Sequence, residues 1–108
     1  MNAADIQKEI DKLNGRRQFL VAVAGALEKK PRSLNEEIFQ RYVEYESTPK
    51  VAKYLRSKGI RADGNRSFGP GDVSDIIQNE HQDIDPALVK MAGEIFARNR
   101  KAVMRQYG

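Results

Sequence analysis

The 108-residue chain has no cysteine, no tryptophan, one histidine (His81), four prolines and eight glycines. Without cysteine there is no disulfide framework, no thiolate zinc site and no cysteine nucleophile, and one histidine leaves most hydrolytic and metal chemistry short of ligands. The sequence is therefore expected to encode no enzyme, with no catalytic residue, no metal site and no cofactor. It contains neither a run of about 18 apolar residues nor a charged-then-apolar leader, so no membrane span and no secretory signal are expected, and the protein is read as cytoplasmic. Low glycine and proline content excludes a fibrous or disordered chain. What is present, 40% apolar and 31% charged residues, suits one small domain over residues 1–108.

Net charge is only +4, from 19 basic and 15 acidic residues, but the signs are blocked along the chain. Residues 1–32 sum to +3 and residues 33–47 to −3. Residues 48–68 carry six Lys/Arg against one acid, residues 69–86 carry five acids and no Lys/Arg, and residues 87–108 return to +4. A polyanionic partner is favoured where such a basic block forms one surface.

Hydrophobic spacing predicts an all-α fold of about five helices. Over residues 1–30, Ile6, Ile10, Leu13, Leu20 and Leu27, with Arg17 and Ala24 between them, alternate in steps of four and three, the spacing of a heptad seam. Phe19, Val23 and Ala26 form a second stripe, read as widening the same face. The helix either docks on its own domain or pairs two copies, and Gly15 is a candidate break. Lys29, Lys30 and Pro31 end it. Ser33 and Glu36 form a capping-box pattern before Leu34, Ile38, Phe39, Tyr42 and Val43. Thr48 then reads as an N-cap with Pro49 at the first helical position; Val51, Ala52 and Leu55 face inward and Gly59 closes the helix. Residues 60–71 are turn-rich, a loop or small hairpin containing Asp63-Gly64-Asn65 and Phe68. From Pro70 to Asn79 a further helix turns Val73, Ile76 and Ile77 inward and Ser74, Asp75 and Gln78 outward. Asp85 and Pro86 open the last helix, 86–107, with Leu88, Val89, Ala92, Ile95, Phe96 and Val103 inward and a basic end at Arg98, Arg100, Lys101 and Arg105.

The central segment, 34–79, has the layout of a helix-turn-helix unit flanked by two longer helices. Its residues go further than layout. Ile38-Phe39 and Tyr42, then Val51-Ala52-Lys53-Tyr54-Leu55, Lys58-Gly59-Ile60, Gly64, Phe68 at a usual tryptophan position, and Val73, Ile76, Ile77 and Asn79 resemble one known segment. Over residues 38–79 the chain is similar to the helix-turn-helix part of the "recombinase" domain that follows the catalytic domain in large serine recombinases. The resemblance implies a helical unit that binds double-stranded DNA. It does not carry over recombination, because the residues before position 38 are too few for that family's catalytic domain.

The candidate DNA-binding residues are Lys50, Lys53, Arg56 and Lys58 on the second helix of the unit, Arg61, Asn65 and Arg66 in the connector, and Ser74 and Gln78 on the helix that would enter the major groove. The basic side chains suit phosphates, whereas Ser74 and Gln78 suit base edges. Asp72 and Asp75 oppose them, since carboxylates are repelled by phosphate. The basic cluster from Arg98 to Arg105 adds either a phosphate-contacting arm or a solvated helix end.

Three other constellations are set aside. His81, Asp83 and Asp85 are close in sequence, but Asp85 already reads as a helix cap. Gly69-Pro70-Gly71 lacks an amide at Pro70 and has Asp72 beside it, which disfavours an anion. Glu36/Glu37 and Glu44/Glu46 read as a solvated acidic face.

Two functions follow. The first is a small sequence-specific DNA-binding protein, a transcriptional regulator or accessory factor of phage or plasmid type, dimeric through Ile6, Ile10, Leu13, Leu20 and Leu27. The second is a helical protein–protein interaction module that keeps the fold without binding DNA, its acidic block engaging a basic partner. They separate on whether Asp72 and Asp75 cover the face that DNA would meet.

Overall fold

A computed structural model describes the backbone of residues 1–107 and the side chains of residues 1–102. Val103 and Arg105, read above as core and basic end, therefore have side chains outside the described residues. Asn2 starts the first helix: its side chain accepts from the Asp5 amide at 2.9 Å while the Asp5 carboxylate accepts from the Asn2 amide at 3.2 Å. Two otherwise unpaired donors are thereby satisfied reciprocally. Helix α1 (Ala3–Glu28) then runs unbroken through Gly15. The candidate break is absent: one glycine costs only about 1 kcal/mol relative to alanine. At its end, the Gln40 amide donates to the carbonyls of Ala26 (3.0 Å) and Lys29 (2.9 Å), so a buried side chain of the next helix closes the last turn.

Helix α2 (Leu34–Tyr45) is capped by Ser33, whose hydroxyl accepts from the Glu36 amide at 3.1 Å. The reciprocal half of the expected capping box is missing. Arg32 takes the Glu36 carboxylate instead, through its own amide (3.1 Å) and its guanidinium (2.8 Å), and also donates to the Asp83 carbonyl at 3.0 Å. The hydrogen bond from Arg32 holds the Glu36 carboxyl below its usual range. Leu34, expected to share the helix's apolar spacing, is exposed. Glu46, in the left-handed region at φ 55°, turns the chain directly into α3 (Thr48–Ser57). The cap of α3 is Ser47, not Thr48: the Ser47 hydroxyl accepts from the Lys50 amide at 3.4 Å, which places Thr48 and Pro49 inside the first turn.

After Gly59, at φ 72°, come β1 (Arg61–Ala62) and β2 (Arg66–Ser67), paired antiparallel with Arg61 opposite Ser67 and joined by a tight turn over Asp63–Asn65. Gly64 (φ 75°) and Asn65 (φ 59°) take the left-handed conformations this turn needs. Helix α4 (Pro70–Gln78) and helix α5 (Pro86–Tyr107) complete the chain, the latter capped by Asp85, which accepts from the Ala87 amide at 2.9 Å. The fold is all-α, with the hairpin as the one extended element among the described residues. No described helix is long and apolar enough to cross a membrane.

Ile38, Phe39 and Tyr42 of α2, Val51, Ala52 and Leu55 of α3 and Val73 of α4 are almost wholly buried, and Leu88, Ala92 and Ile95 of α5 close over them. Burial of each large apolar side chain contributes about 1.5–3 kcal/mol. Phe68 joins this core from the hairpin, and Ile76 packs against it only partly buried, a correction to its expected core place. His81 sits edge-on to Phe39 (5.4 Å), its Nε2 2.8 Å from the Ile76 carbonyl oxygen.

The apolar residues of α1 lie on two faces rather than one widened stripe. Phe19, Val23 and Ala26 turn toward α5, where Arg16 pairs with Glu94 at 3.0 Å and the Lys90 ammonium sits 4.5 Å from the Phe19 ring centroid. The seam is left outside: Ile6 is 48% exposed, Ile10 43%, Leu13 69% and Leu20 44%. At 100° per residue the two sets are roughly a third of a turn apart. Leu27 alone of the seam packs partly against the core.

Candidate nucleic-acid interface

Helices α3 and α4 pack on each other through Val51, Ala52 and Leu55 on one side and Val73 and Ile77 on the other. Helical periodicity then fixes what points outward. On α4, Ser74 and Gln78 lie on one flank, one turn apart, and Asp72, Asp75 and Asn79 on the other. The two flanks meet different neighbours.

The Ser74/Gln78 flank borders an open groove of about 820 Å³, closed on its far sides by Ser47, Thr48 and Pro49 of the α3 start and by Phe96, Asn99 and Arg100 of α5. Tyr42 forms its floor, and burial raises the Tyr42 phenol. Asn99 donates to the Glu46 carbonyl at 2.9 Å, and Arg98 pairs with the Glu46 carboxylate. These bonds hold α5 against the corner between α2 and α3 and bring Arg100 to the groove. The basic end of the last helix thus divides: Arg98 is tied down and Arg100 lies beside Ser74 and Gln78.

The opposite flank is occupied by the hairpin. The Arg66 guanidinium holds Asp72 in a two-pronged ion pair, one nitrogen–oxygen distance being 2.8 Å, and the same carboxylate accepts from the Gly69 amide at 2.8 Å. Hydrogen bonding by Arg66, then by the Gly69 amide, lowers the Asp72 carboxyl to about 2 from 3.8. Asp72 is therefore an internal cap for α4 with its charge matched. Asp75 is the one α4 carboxylate left facing solvent.

The nine sequence candidates separate accordingly. Lys50 and Lys53 are exposed, beside Tyr45 and Tyr54 on the outer side of α3, with Lys53 one turn beyond Pro49 of the groove. Ser74 and Gln78 line the groove itself. Arg56 donates to the Phe68 carbonyl at 2.6 Å and fastens the hairpin to α3. Lys58 lies over the Tyr54 ring (4.9 Å to the centroid) and 3.6 Å from Glu37; Tyr54 first and Glu37 second raise its pKa. Arg61 donates to the Asn65 carbonyl at 3.2 Å within the hairpin, and Asn65 itself sits exposed at the turn. Arg66 is held by Asp72. The structure thus brings Ser74 and Gln78 together with the α3 start, and turns Arg56, Lys58 and Arg66 to internal partners.

Sequence reasoning missed Ser47, Thr48 and Asn99 as groove residues. No local signal marks them, because the groove exists only once α5 crosses the corner between α2 and α3.

Residues 32–82, nearly half of the chain, match the family model described as Recombinase. The matched span contains the whole of 38–79, so the resemblance read from the residues holds for this segment, which comprises α2, α3, the hairpin and α4. Neither the curated proteins nor the solved structures include a match to the chain.

Proposed function

We propose that the protein binds double-stranded DNA through α3 and α4 and is not itself an enzyme. The observation that carries this reading is the coincidence of the Recombinase match with a helix-turn-helix unit whose last helix presents Ser74 and Gln78 to an open groove, where the one lining carboxylate, Glu46, is paired with Arg98. In this reading α4 lies toward the major groove, Gln78 and Ser74 meet base edges, and Lys50, Lys53 and Arg100 contact phosphates on either side. Asn65 flanks the contact from the hairpin, while Arg56, Lys58, Arg61 and Arg66 support it by holding the unit in shape. The pairing of Asp72 with Arg66 favours DNA over the protein-interaction reading, because one of the two carboxylates that would repel phosphate is matched internally. We assign the protein to cytoplasmic regulators of transcription or accessory factors of phage or plasmid type, acting as a dimer through Ile6, Ile10, Leu13, Leu20 and Leu27. Cysteine-free composition and the exposed seam support that assignment.

Electrophoretic shift on a pool of genomic fragments tests the binding. Retarded bands at low ionic strength that weaken steeply with added salt are expected. Absence of any shift at low salt would falsify DNA binding.

A further inference from the structure

The first four turns of α1 carry a set of properties that the fold does not use. Every residue from Met1 to Gln18 is exposed, and Arg16 is the first of them to reach α5. A free helix of about 12–15 residues is marginal in water even with good formers, and this one contains Gly15. Its cap and the Gln7–Asp11 and Glu9–Lys12 side-chain pairs help only by tenths of a kcal/mol each. Ile6, Ile10, Leu13 and Leu20 nonetheless keep one apolar line along it, on the face that α5 leaves free.

Charge indicates what covers that line. Residues 3–11 hold Asp5, Glu9 and Asp11 against Lys8, whereas residues 12–18 hold Lys12 and Arg17, with Arg16 paired to Glu94 of α5, and no acid. Two copies side by side in parallel would set acid on acid and base on base, with Arg17 facing Arg17 within the seam. Two copies in opposite directions set the acidic half of each against the basic half of the other.

We infer that two copies of the protein pair through the first five turns of α1 in antiparallel orientation, with Ile10 of one copy against Leu13 of the other, and Arg17 beside Ile6 and within reach of Glu9. This pairing deepens the self-association proposed above and is independent of DNA binding. It places the two helix-turn-helix units at opposite ends of the paired helices. The points where the α1 helices meet their own bodies, near Val23, are then about 35 Å apart at 1.5 Å per residue, about one turn of B-DNA.

The cysteine-free sequence allows one spin label at Ala4→Cys in the full chain. Position 4 faces away from the seam, so dipolar spectroscopy on the labelled dimer is expected to give about 30 Å between label sites, the axial offset of an antiparallel pair combined with about 20 Å between the outer faces of the two helices. Parallel pairing gives about 20 Å and overturns the orientation while leaving the dimer intact. A monomer at tens of micromolar by sedimentation overturns the dimer itself, whether or not DNA is bound. In the antiparallel pair Arg17→Glu weakens association about tenfold, and Glu9→Lys added to it restores association. If Arg17→Glu leaves association unchanged, the charge argument is wrong. Ile10→Lys with Leu13→Lys separates the copies without altering the melting of the body, since neither side chain touches it.

Discussion

The six cations of residues 48–68 divide between the first turns of α3 and the hairpin with the end of α3. At the first place, Lys50 and Lys53 extend into solvent from an otherwise apolar-backed helix. At the second, Arg56 holds the Phe68 carbonyl, Lys58 lies on Tyr54 and Glu37, Arg61 holds the hairpin turn, and Arg66 clasps Asp72. The same net charge in sequence is thus available to a partner in one region and engaged in maintaining local structure in the other. The acidic block divides in a parallel way: Asp72 caps α4 and Asp85 caps α5, leaving Asp75 as the free carboxylate on the outer face of α4.

The largest effect is expected from reversing the free pair. Lys50→Glu with Lys53→Glu should weaken DNA binding by about 100-fold or more at low salt, by replacing two phosphate attractions with repulsions, and leave the melting temperature nearly unchanged. Next, Ser74→Ala with Gln78→Ala should reduce discrimination between preferred and unrelated DNA by about tenfold, as lost base-edge hydrogen bonds do, with non-specific binding retained. Competition binding with the two DNAs reads this directly.

Arg66→Ala should act on the engaged side of the comparison. Binding should change by less than about threefold and the salt dependence of log K should keep its slope, while melting falls by a few degrees as Asp72 loses its partner. A slope reduced by about 1 would instead make Arg66 a phosphate ligand.

The smallest effect concerns pH. The Asp72 carboxyl has a folded value of about 2, below its ordinary 3.8. Its contribution to stability is therefore complete above about pH 4 and is lost as pH falls toward 2, where the carboxylate protonates in the folded state as well. Thermal melts of the protein and of Asp72→Asn should differ most near neutral pH and converge in acid; a constant difference from pH 6 to pH 2 would show that Asp72 does not act through its charge.

Much of this architecture was legible because the signals were local. Proline after a capping residue, glycine at a helix end and four-three apolar spacing located the five helices of the described residues, and Asp63-Gly64-Asn65 marked the hairpin. Errors arose where two residues competed for one role or where partners were distant. Ser47 and Thr48 both suit an N-cap, and only the hydroxyl geometry selects Ser47. Glu36 had the spacing for Ser33 but met a better donor in Arg32. Phe19, Val23 and Ala26 looked like an extension of the seam because periodicity does not reveal that α5 takes one face of α1 and leaves the other. The Arg66–Asp72 pair spans the junction between the basic and acidic blocks, so a partition by sequence counts both charges as free when they neutralise each other.

The measurement that bears most directly on the interface is amide chemical-shift mapping of the isotopically labelled protein titrated with a DNA fragment it retains. Perturbations are expected to cluster at residues 47–53, at 71–78 and around Arg100, with the hairpin pair of Arg66 and Asp72 little changed. Perturbations confined to the hairpin or to the seam of α1, or none at all at saturating DNA, would contradict the assignment of α3 and α4 as the DNA-binding face.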